Sequence, residues 1–238
     1  MTSGVRAQRR AEIEAQLLDA GRRHLAQHGA AAISIRAIAR DIGMAPSALF
    51  RYIDNRDDLL TLLIVDGYDS LADRVDTAVA DAEPGDPAAR WRALAGATRA
   101  WALEHPHQWA LLYGSPVPEY HAPGDRTTAA GTRVTDLLVD IGADAVEAGL
   151  ATAAATPDAD LASAAARAVA RGLTLVTGRA GDPVGGLPSG TLANGVTAWL
   201  LLVGAVSAEV FEQLGDGVDY APVFAYAVEV GRTLMFAN

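Results

Sequence analysis

The chain has 238 residues, half of them hydrophobic and a fifth charged, so it suits one large or two small domains and is not largely disordered. It has no cysteine, which excludes disulfides, thiolate metal sites and cysteine nucleophiles. The net charge is −10, but residues 1–60 hold nine arginines against seven acidic residues, and residues 61–238 hold ten against 22. This basic N-terminal part keeps nucleic acid open as a partner.

The sequence predicts helices throughout. Alanine and leucine, two strong helix formers, dominate it, and no turn between alternating apolar residues indicates a hairpin. Glycine, proline and aspartate-rich breaks separate the predicted helices. These helices span about residues 8–28, 34–43, 46–53, 56–83, 88–104, 106–113, 125–150, 157–177, 191–214 and 220–236. The predicted fold is therefore all-α.

The first three helices have clear boundary signals. Gly29 is a natural C-terminal stop for the first helix, and Ser34 is placed to cap the second. Gly43 ends the second helix, and Pro46 suits the first turn of the third. Two short helices joined by a tight turn form a helix-turn-helix, whose second helix enters the DNA major groove.

The stretch from Ala31 to Ile53 reads AAISIRAIARDIGMAPSALFRYI and is followed by NRDDLL at residues 55–60. In the spacing of its residues it resembles the TetR family of bacterial transcriptional regulators over about 50 residues. Two features of this stretch depart from the family pattern. Phe50, Tyr52 and Ile53 stand where the family usually has Tyr, His and Phe, and Ala45 replaces the usual Ser or Thr cap.

The segment from His105 to Pro116, with Tyr120 and Pro123, resembles the C-terminal domain of one TetR subgroup. The two resemblances imply a DNA-binding head of three helices over residues 1–54 and a larger helical body over residues 55–238. They also imply a cytoplasmic homodimer that represses transcription from a palindromic operator. A small-molecule effector of unknown identity would bind the body and release the DNA.

The predicted DNA contacts follow from the geometry of the motif. The start of the recognition helix faces base edges and its end faces the phosphate backbone. An N-terminal arm with Arg6, Arg9 and Arg10 is a further candidate for phosphate or the minor groove. The predicted DNA-binding residues are Ser34, Arg36, Met44, Pro46, Ser47, Ala48, Phe50, Arg51, Tyr52 and Arg56.

Aromatic residues with a polar tip are suited to an effector cavity. The candidates in the predicted body are Trp101, Trp109, Tyr113, Tyr120, His121 and Trp199, although each alone is more often ordinary core. The two histidines at 105 and 107 do not have the spacing that places metal ligands on one helix face. No metal, cofactor or catalytic residue is expected.

The last two helices are the predicted dimer interface. The run over residues 191–214 is apolar on more than one face, so one side can pack on its own body while the other needs a partner. The helix over residues 220–236 repeats the pattern, and the sequence selects Val206 and Val210 as positions where a glutamate would give monomers.

Neither a signal peptide nor a membrane span is expected. Residues 1–10 hold three arginines without a following apolar stretch, and the most apolar run, residues 196–208, is shorter than the ~20 residues of a membrane helix. Three alternatives stay open at this point: a DNA-binding regulator without an effector or acting as an activator, an adaptor that binds only protein, and, less consistent with the residues, an all-α enzyme.

Overall fold

A computed structural model describes residues 2–152, 160–168 and 187–237, with side chains from residue 7 onward. The helices, in chain order, are α1 (Thr2–His28), α2 (Ile35–Asp41), α3 (Pro46–Leu49), α4 (Arg56–Ala80), α5 (Pro87–Glu104), α6 (Pro106–Tyr113), α7 (Gly124–Glu147), α8 (Ser189–Val210) and α9 (Tyr220–Met235). Residues 30–32 form a 3₁₀ turn, and residues 160–168 are helical. The described residues form no strand, only an isolated bridge between Ala151 and Phe236. The prediction of an all-α fold is confirmed.

The helix ends differ from the predicted ones by a few residues. α1 begins at Thr2, before the predicted start at residue 8. α7 ends before residue 150, since Gly149 adopts a left-handed conformation with φ 68°. α8 ends at Val210 through the same type of cap, in which Glu212 has φ 51° and the Gln213 amide donates to the Ala208 carbonyl. Most of the helix predicted over residues 157–177 lies outside the described residues.

The chain divides into two compact units. The head unit comprises Met1–Tyr68 and His105–Thr127, and the body unit comprises Asp69–Glu104 and Thr128–Asn238. The first unit thus extends beyond the three helices of residues 1–54 and includes half of α4 and all of α6. The boundary predicted at residue 54 describes the DNA-binding motif rather than a compact unit, and it stays a prediction.

The core of the head unit connects the three N-terminal helices to α4. Every position in this cluster is apolar and buried, and the leucines and isoleucines lie at helical spacing. Leu111, Val117 and Tyr120, from α6 and the following loop, pack against the cluster. Its members are Leu17, Ala20, Ile33, Ile38, Ala39, Leu49, Ile53, Leu59, Leu60 and Leu63.

The body unit is built around buried tryptophans. The Trp91 indole donates a 2.9 Å hydrogen bond to the Val228 carbonyl and thereby connects α5 to α9. Arg99 makes two 2.6 Å hydrogen bonds to Glu209 and lies 5.0 Å from the Phe224 ring centroid, so α5 is also tied to both C-terminal helices. These contacts hold α8 and α9 in a fixed register on α5.

One helix of the described part, α8, is long and apolar enough to cross a membrane by length and composition. The core helix of a soluble protein passes the same test. α8 has a buried face within the body unit, formed by Leu192, Asn194, Ala198, Leu202 and Val206.

We expect Gly231→Ala to destabilise the protein. A Cβ at Gly231 would lie 2.7 Å from Cζ2 of Trp91 and 3.3 Å from Cβ of Ala198, and a rigid indole cannot move aside cheaply. Overpacking costs about 1–3 kcal/mol, which outweighs the gain of about 1 kcal/mol from replacing a helical glycine. Urea unfolding measures the loss. Gly96→Ala is the matched control because nothing lies within 4 Å of its Cβ position, so this variant should be at least as stable as the original protein.

Candidate nucleic-acid interface

The turn between α2 and α3 has the geometry that the motif requires. The Ser34 hydroxyl oxygen accepts a hydrogen bond from the Ala37 amide at 3.4 Å and caps α2, as predicted. Gly43 has φ 69°, a conformation that costs a side chain about 1–2 kcal/mol, and the Met44 amide then reaches the Ala39 carbonyl at 2.8 Å. The chain therefore reverses within four residues and presents α3.

The third helix is shorter than predicted. Ala45 is its N-cap and makes no side-chain cap bond, which agrees with the missing Ser or Thr. Pro46 occupies the first turn, where its lack of an amide proton costs nothing. α3 ends at Leu49, and the Tyr52 amide then bonds to the Leu49 carbonyl at 2.9 Å across three residues. Residues 50–52 therefore continue the recognition segment as a turn rather than as a regular helix.

Buried side chains fix the angle of the recognition segment. Leu49 and Ile53 point into the head-unit core, where they join Ile38 and Ala39 of α2. His24 of α1 lies 2.6 Å from an Asp41 carboxylate oxygen and closes the end of α2. Because α3 is held from one side, its other side is left for a ligand.

The exposed side of the motif contains most of the predicted DNA contacts. Phe50 is 51% exposed, so its ring is accessible to a ligand. Met44, Ala48 and Tyr52 are half-buried at its edge. The exposed predicted residues are Ser34, Arg36, Pro46, Ser47, Phe50 and Arg51.

Three exposed cations surround this surface. Arg36 and Arg40 lie four residues apart on α2, and Arg51 follows α3. None of the three forms an ion pair with a residue that the structure describes, so their guanidinium groups are available for phosphates. Arg40 was not among the predicted residues, although its spacing from Arg36 places both on one helix face.

Two predicted residues already have partners within the head unit. Arg56 donates to the carbonyl oxygens of Ala30 and Ala31 at 3.1 and 3.2 Å and is half-buried. The Tyr52 ring lies 5.9 Å from the guanidinium carbon of Arg10, which also bonds Glu14 at 2.7 Å. No local signal in the sequence indicates these contacts, and the roles of Arg56 and Tyr52 in DNA binding stay predictions.

The six aromatic residues predicted for an effector cavity are spread over both units. Trp101 donates to the Ser70 hydroxyl at 3.0 Å, and the Tyr120 hydroxyl lies 2.9 Å from that of Thr61. Trp109 and Tyr113 pack with ring centroids 4.3 Å apart, and burial raises the pKa of the Tyr113 phenol. His121 is exposed.

A cavity of about 190 Å³ lies within the body unit between α7, α8 and the end of α9. Of the six predicted aromatics, Trp199 alone is among its described lining residues. The other five therefore remain predictions without a cavity assigned to them. No three acidic or histidine side chains in the described part of the chain are grouped to hold a metal ion.

Comparison with protein families places both parts of the chain. Residues 17–63 match the family described as bacterial regulatory proteins, tetR family. Residues 91–230 match the family described as tetracyclin repressor-like, C-terminal domain. The first match covers the whole helix-turn-helix described above.

Individual relatives agree with these matches. The HTH-type transcriptional regulators Rv1816 of Mycobacterium tuberculosis and Mb1846 of Mycobacterium bovis are each 44% identical over 216 residues, which cover 89% of this chain and 86% of theirs. The crystal structure of the regulatory protein SCO4313 is similar with a TM-score of 0.73 and 31% identity, covering 94% of this chain and 97% of that one. A protein of unknown function from Rhodococcus sp. RHA1 has a TM-score of 0.67 and 25% identity, covering 94% and 95%. This chain belongs to the TetR family of bacterial transcriptional regulators.

Proposed function

We propose that the protein is a cytoplasmic homodimeric repressor that binds a palindromic operator and releases it when a small molecule enters the body unit. The observation that carries the DNA-binding part is the exposed face of the helix-turn-helix. There, Ser47 and Phe50 are exposed, and so are Arg36 and Arg51, which form no ion pair with a described residue. A surface that combines a short polar side chain, an aromatic ring and flanking arginines suits base edges bordered by phosphates.

The apolar surface of the two C-terminal helices supports the dimer. Leu200 of α8 is 64% exposed and Tyr226 of α9 is 75% exposed. Contiguous apolar patches on a protein surface mark interaction sites, and the exposed apolar side chains here lie on two helices that pack against each other. Leu201 of α8 and Val223 of α9 are exposed as well, and so are Phe211, Leu214 and Val218 of the loop that joins the two helices. We assign this surface to the contact with a second copy of the chain, which pairs two recognition segments for two half-sites.

The cavity in the body unit supports the response to an effector. A ligand that binds the DNA-free arrangement more tightly than the DNA-bound one shifts the population towards release. The size of this shift cannot exceed the difference between the two affinities. Effector binding and operator binding are therefore coupled equilibria that can be measured separately.

A gel-shift series on the intergenic DNA upstream of the gene and its neighbours tests the DNA-binding part. We expect a sequence-preferring complex whose affinity falls steeply as salt rises, because each phosphate contact releases counterions. A protein that binds none of these fragments better than scrambled DNA, at any salt concentration, would contradict the proposal.

Single substitutions should separate backbone contacts from base contacts. We expect Arg51→Ala to weaken binding to operator and scrambled DNA by the same factor and to lower the salt slope by about 1. Tyr52→Phe should likewise weaken binding to operator and scrambled DNA by the same factor. Ser47→Ala should instead weaken operator binding by about tenfold and change scrambled DNA little, since base-edge contacts discriminate by about 1–3 kcal/mol.

Arg92→Ala is the matched control for loss of a positive charge. Arg92 is exposed in the body unit, and its partner Glu229 keeps a second bond of 2.8 Å from Arg232. The affinity of the Arg92→Ala variant for DNA should be unchanged. Equal losses on both DNAs for Ser47→Ala would refute the assignment of this residue to base edges.

A further inference from the structure

Among the described residues, three helices and Leu187, which precedes α8, line the cavity of the body unit. α7 contributes one row of side chains at helical spacing, α8 contributes a second, and the end of α9 closes one side. The described residues that line it are Thr135, Leu138, Val139, Gly142, Leu187, Thr191, Leu192, Gly195, Val196, Trp199, Met235 and Phe236.

Two glycines within helices create much of this space. Nothing lies within 4 Å of the Cβ position of Gly195 on α8, and a Cβ on Gly142 of α7 would meet its nearest neighbours only at 3.8 Å. A glycine inside a helix costs about 1 kcal/mol relative to alanine. At these two positions, the missing side chains leave room between α7 and α8 that larger residues would fill.

The lining is apolar and, in the described part of the chain, uncharged. Its polar side chains are those of Thr135, Thr191 and Trp199. The Thr135 hydroxyl donates to the Thr132 carbonyl at 2.8 Å, which leaves its oxygen able to accept a bond. A carboxylate or ammonium group placed here would lose its hydration without gaining a counter-ion from these residues, at a cost of several kcal/mol.

The volume limits the size of the ligand. A cavity of about 150 Å³ lined by aliphatic and aromatic residues holds benzene. A volume of about 190 Å³ therefore accommodates a compact molecule of about ten non-hydrogen atoms.

We infer that this cavity binds an uncharged, mainly hydrocarbon molecule of about ten non-hydrogen atoms with a single hydroxyl-sized polar group. The two threonine hydroxyls bind the polar group, and Trp199 and Phe236 contact the apolar part. This inference rests on the proposed ligand-responsive function and assigns the effector site to α7, α8 and α9. It thereby excludes the head-unit aromatics from the primary site.

Isothermal titration calorimetry with matched neutral and charged probes tests the chemistry. The neutral probes are octan-1-ol and naphthalen-2-ol, and the charged probe is octanoate, which matches octan-1-ol in chain length. We expect at least one neutral probe to bind with one site per chain. Octanoate should bind at least about tenfold more weakly than octan-1-ol, because its carboxylate loses hydration in the cavity; a tenfold difference corresponds to about 1.4 kcal/mol of binding free energy. Failure of both neutral probes, or equal binding of octanoate, overturns the inference.

Cavity-filling variants test the location. Gly195→Leu directs a side chain into the space and should abolish probe binding while keeping or raising the unfolding midpoint. Gly142→Val fills the same space from the opposite wall, and it provides the test of the location if Gly195→Leu does not fold. Gly96→Leu is the control, a helical glycine outside the cavity lining with open space around its Cβ position, and it should bind the probes normally. Full probe binding by a folded cavity-filling variant also overturns the inference.

The same samples in an operator gel shift distinguish the two proposals. If the protein binds operator but neither neutral probe, the cavity inference fails and the DNA-binding function stands. If a neutral probe binds and operator affinity stays constant, the inference on ligand chemistry stands and the ligand-responsive part of the proposed function fails.

Discussion

Replacing Leu200 with glutamate should convert the proposed dimer to monomers and weaken operator binding by at least about a hundredfold, which corresponds to a loss of about 2.8 kcal/mol of binding free energy. Leu200 lies on the exposed apolar surface of α8, and in the proposed dimer it is covered by the partner. A glutamate there would be buried without a counter-ion, which costs several kcal/mol. Because the residue is exposed within its own chain, the variant should retain its fold.

The position of the substitution decides whether a glutamate dissociates the proposed dimer or unfolds the chain. Val206 was selected from the sequence as a position whose replacement gives monomers, and the structure corrects this choice because Val206 is fully buried within its own body unit. Val206→Glu should therefore unfold the protein rather than only dissociate it. Val210 is half-buried and is also a less selective probe than Leu200.

Analytical ultracentrifugation and circular dichroism together check this prediction. Leu103→Glu is the control, an exposed leucine on α5 outside the C-terminal helices, and it should remain dimeric with normal operator affinity. Original protein that sediments as a monomer at micromolar concentration would contradict the dimer interface. A folded, dimeric Leu200→Glu variant would contradict the chosen surface.

Two neighbouring residues of the recognition segment should behave in opposite ways. Leu49→Ala removes a fully buried side chain from the head-unit core and should lower the free energy of unfolding by about 2–5 kcal/mol. Phe50→Ala removes a ring that is 51% exposed and should change stability by only about 0.5 kcal/mol. Operator affinity of the folded Phe50→Ala variant should nevertheless fall by about tenfold, because the ring faces the proposed DNA.

Thermal unfolding measures the stability of both variants. Operator binding is then measured at a temperature where both variants are folded, so that a loss of affinity reports on recognition alone. The two substitutions form a matched pair, since each reduces an adjacent apolar side chain to alanine. A large loss of stability in Phe50→Ala would place the ring in the core. Unchanged operator binding by this variant would remove Phe50 from the interface.

The helix-turn-helix could be predicted because its signals are local. A serine before an apolar-periodic run, a glycine after it and a proline at the next helix start each act within one turn of backbone, and Ser34, Gly43 and Pro46 have the predicted roles. The assignment of Leu49 and Ile53 to the core follows from the same periodicity. The residues of the motif that the apolar periodicity does not assign to the core are the ones that are exposed.

The tertiary structure decided what depends on contacts between distant parts of the chain. The carbonyl contacts of Arg56 span about 25 residues, and the packing of Arg10 on Tyr52 spans 42, so no local pattern indicates them. The aromatic residues could be recognised as candidates for a cavity, but their distribution between two units follows from how the helices pack. Trp199 lines the cavity because its neighbours on α8 and α7 include glycines that leave space beside it.

By itself, the sequence determined the all-α class, the helix-turn-helix and the family, because helix periodicity, caps and motif spacing are properties of neighbouring residues. It did not determine which face of α8 is covered by its own chain. That helix is apolar nearly all round, so periodicity offers no preferred side. Only packing against α5 and α9 selected Ala198, Leu202 and Val206 for the core and left Leu200 in solvent, since burial is settled by the shape and volume of the surrounding helices.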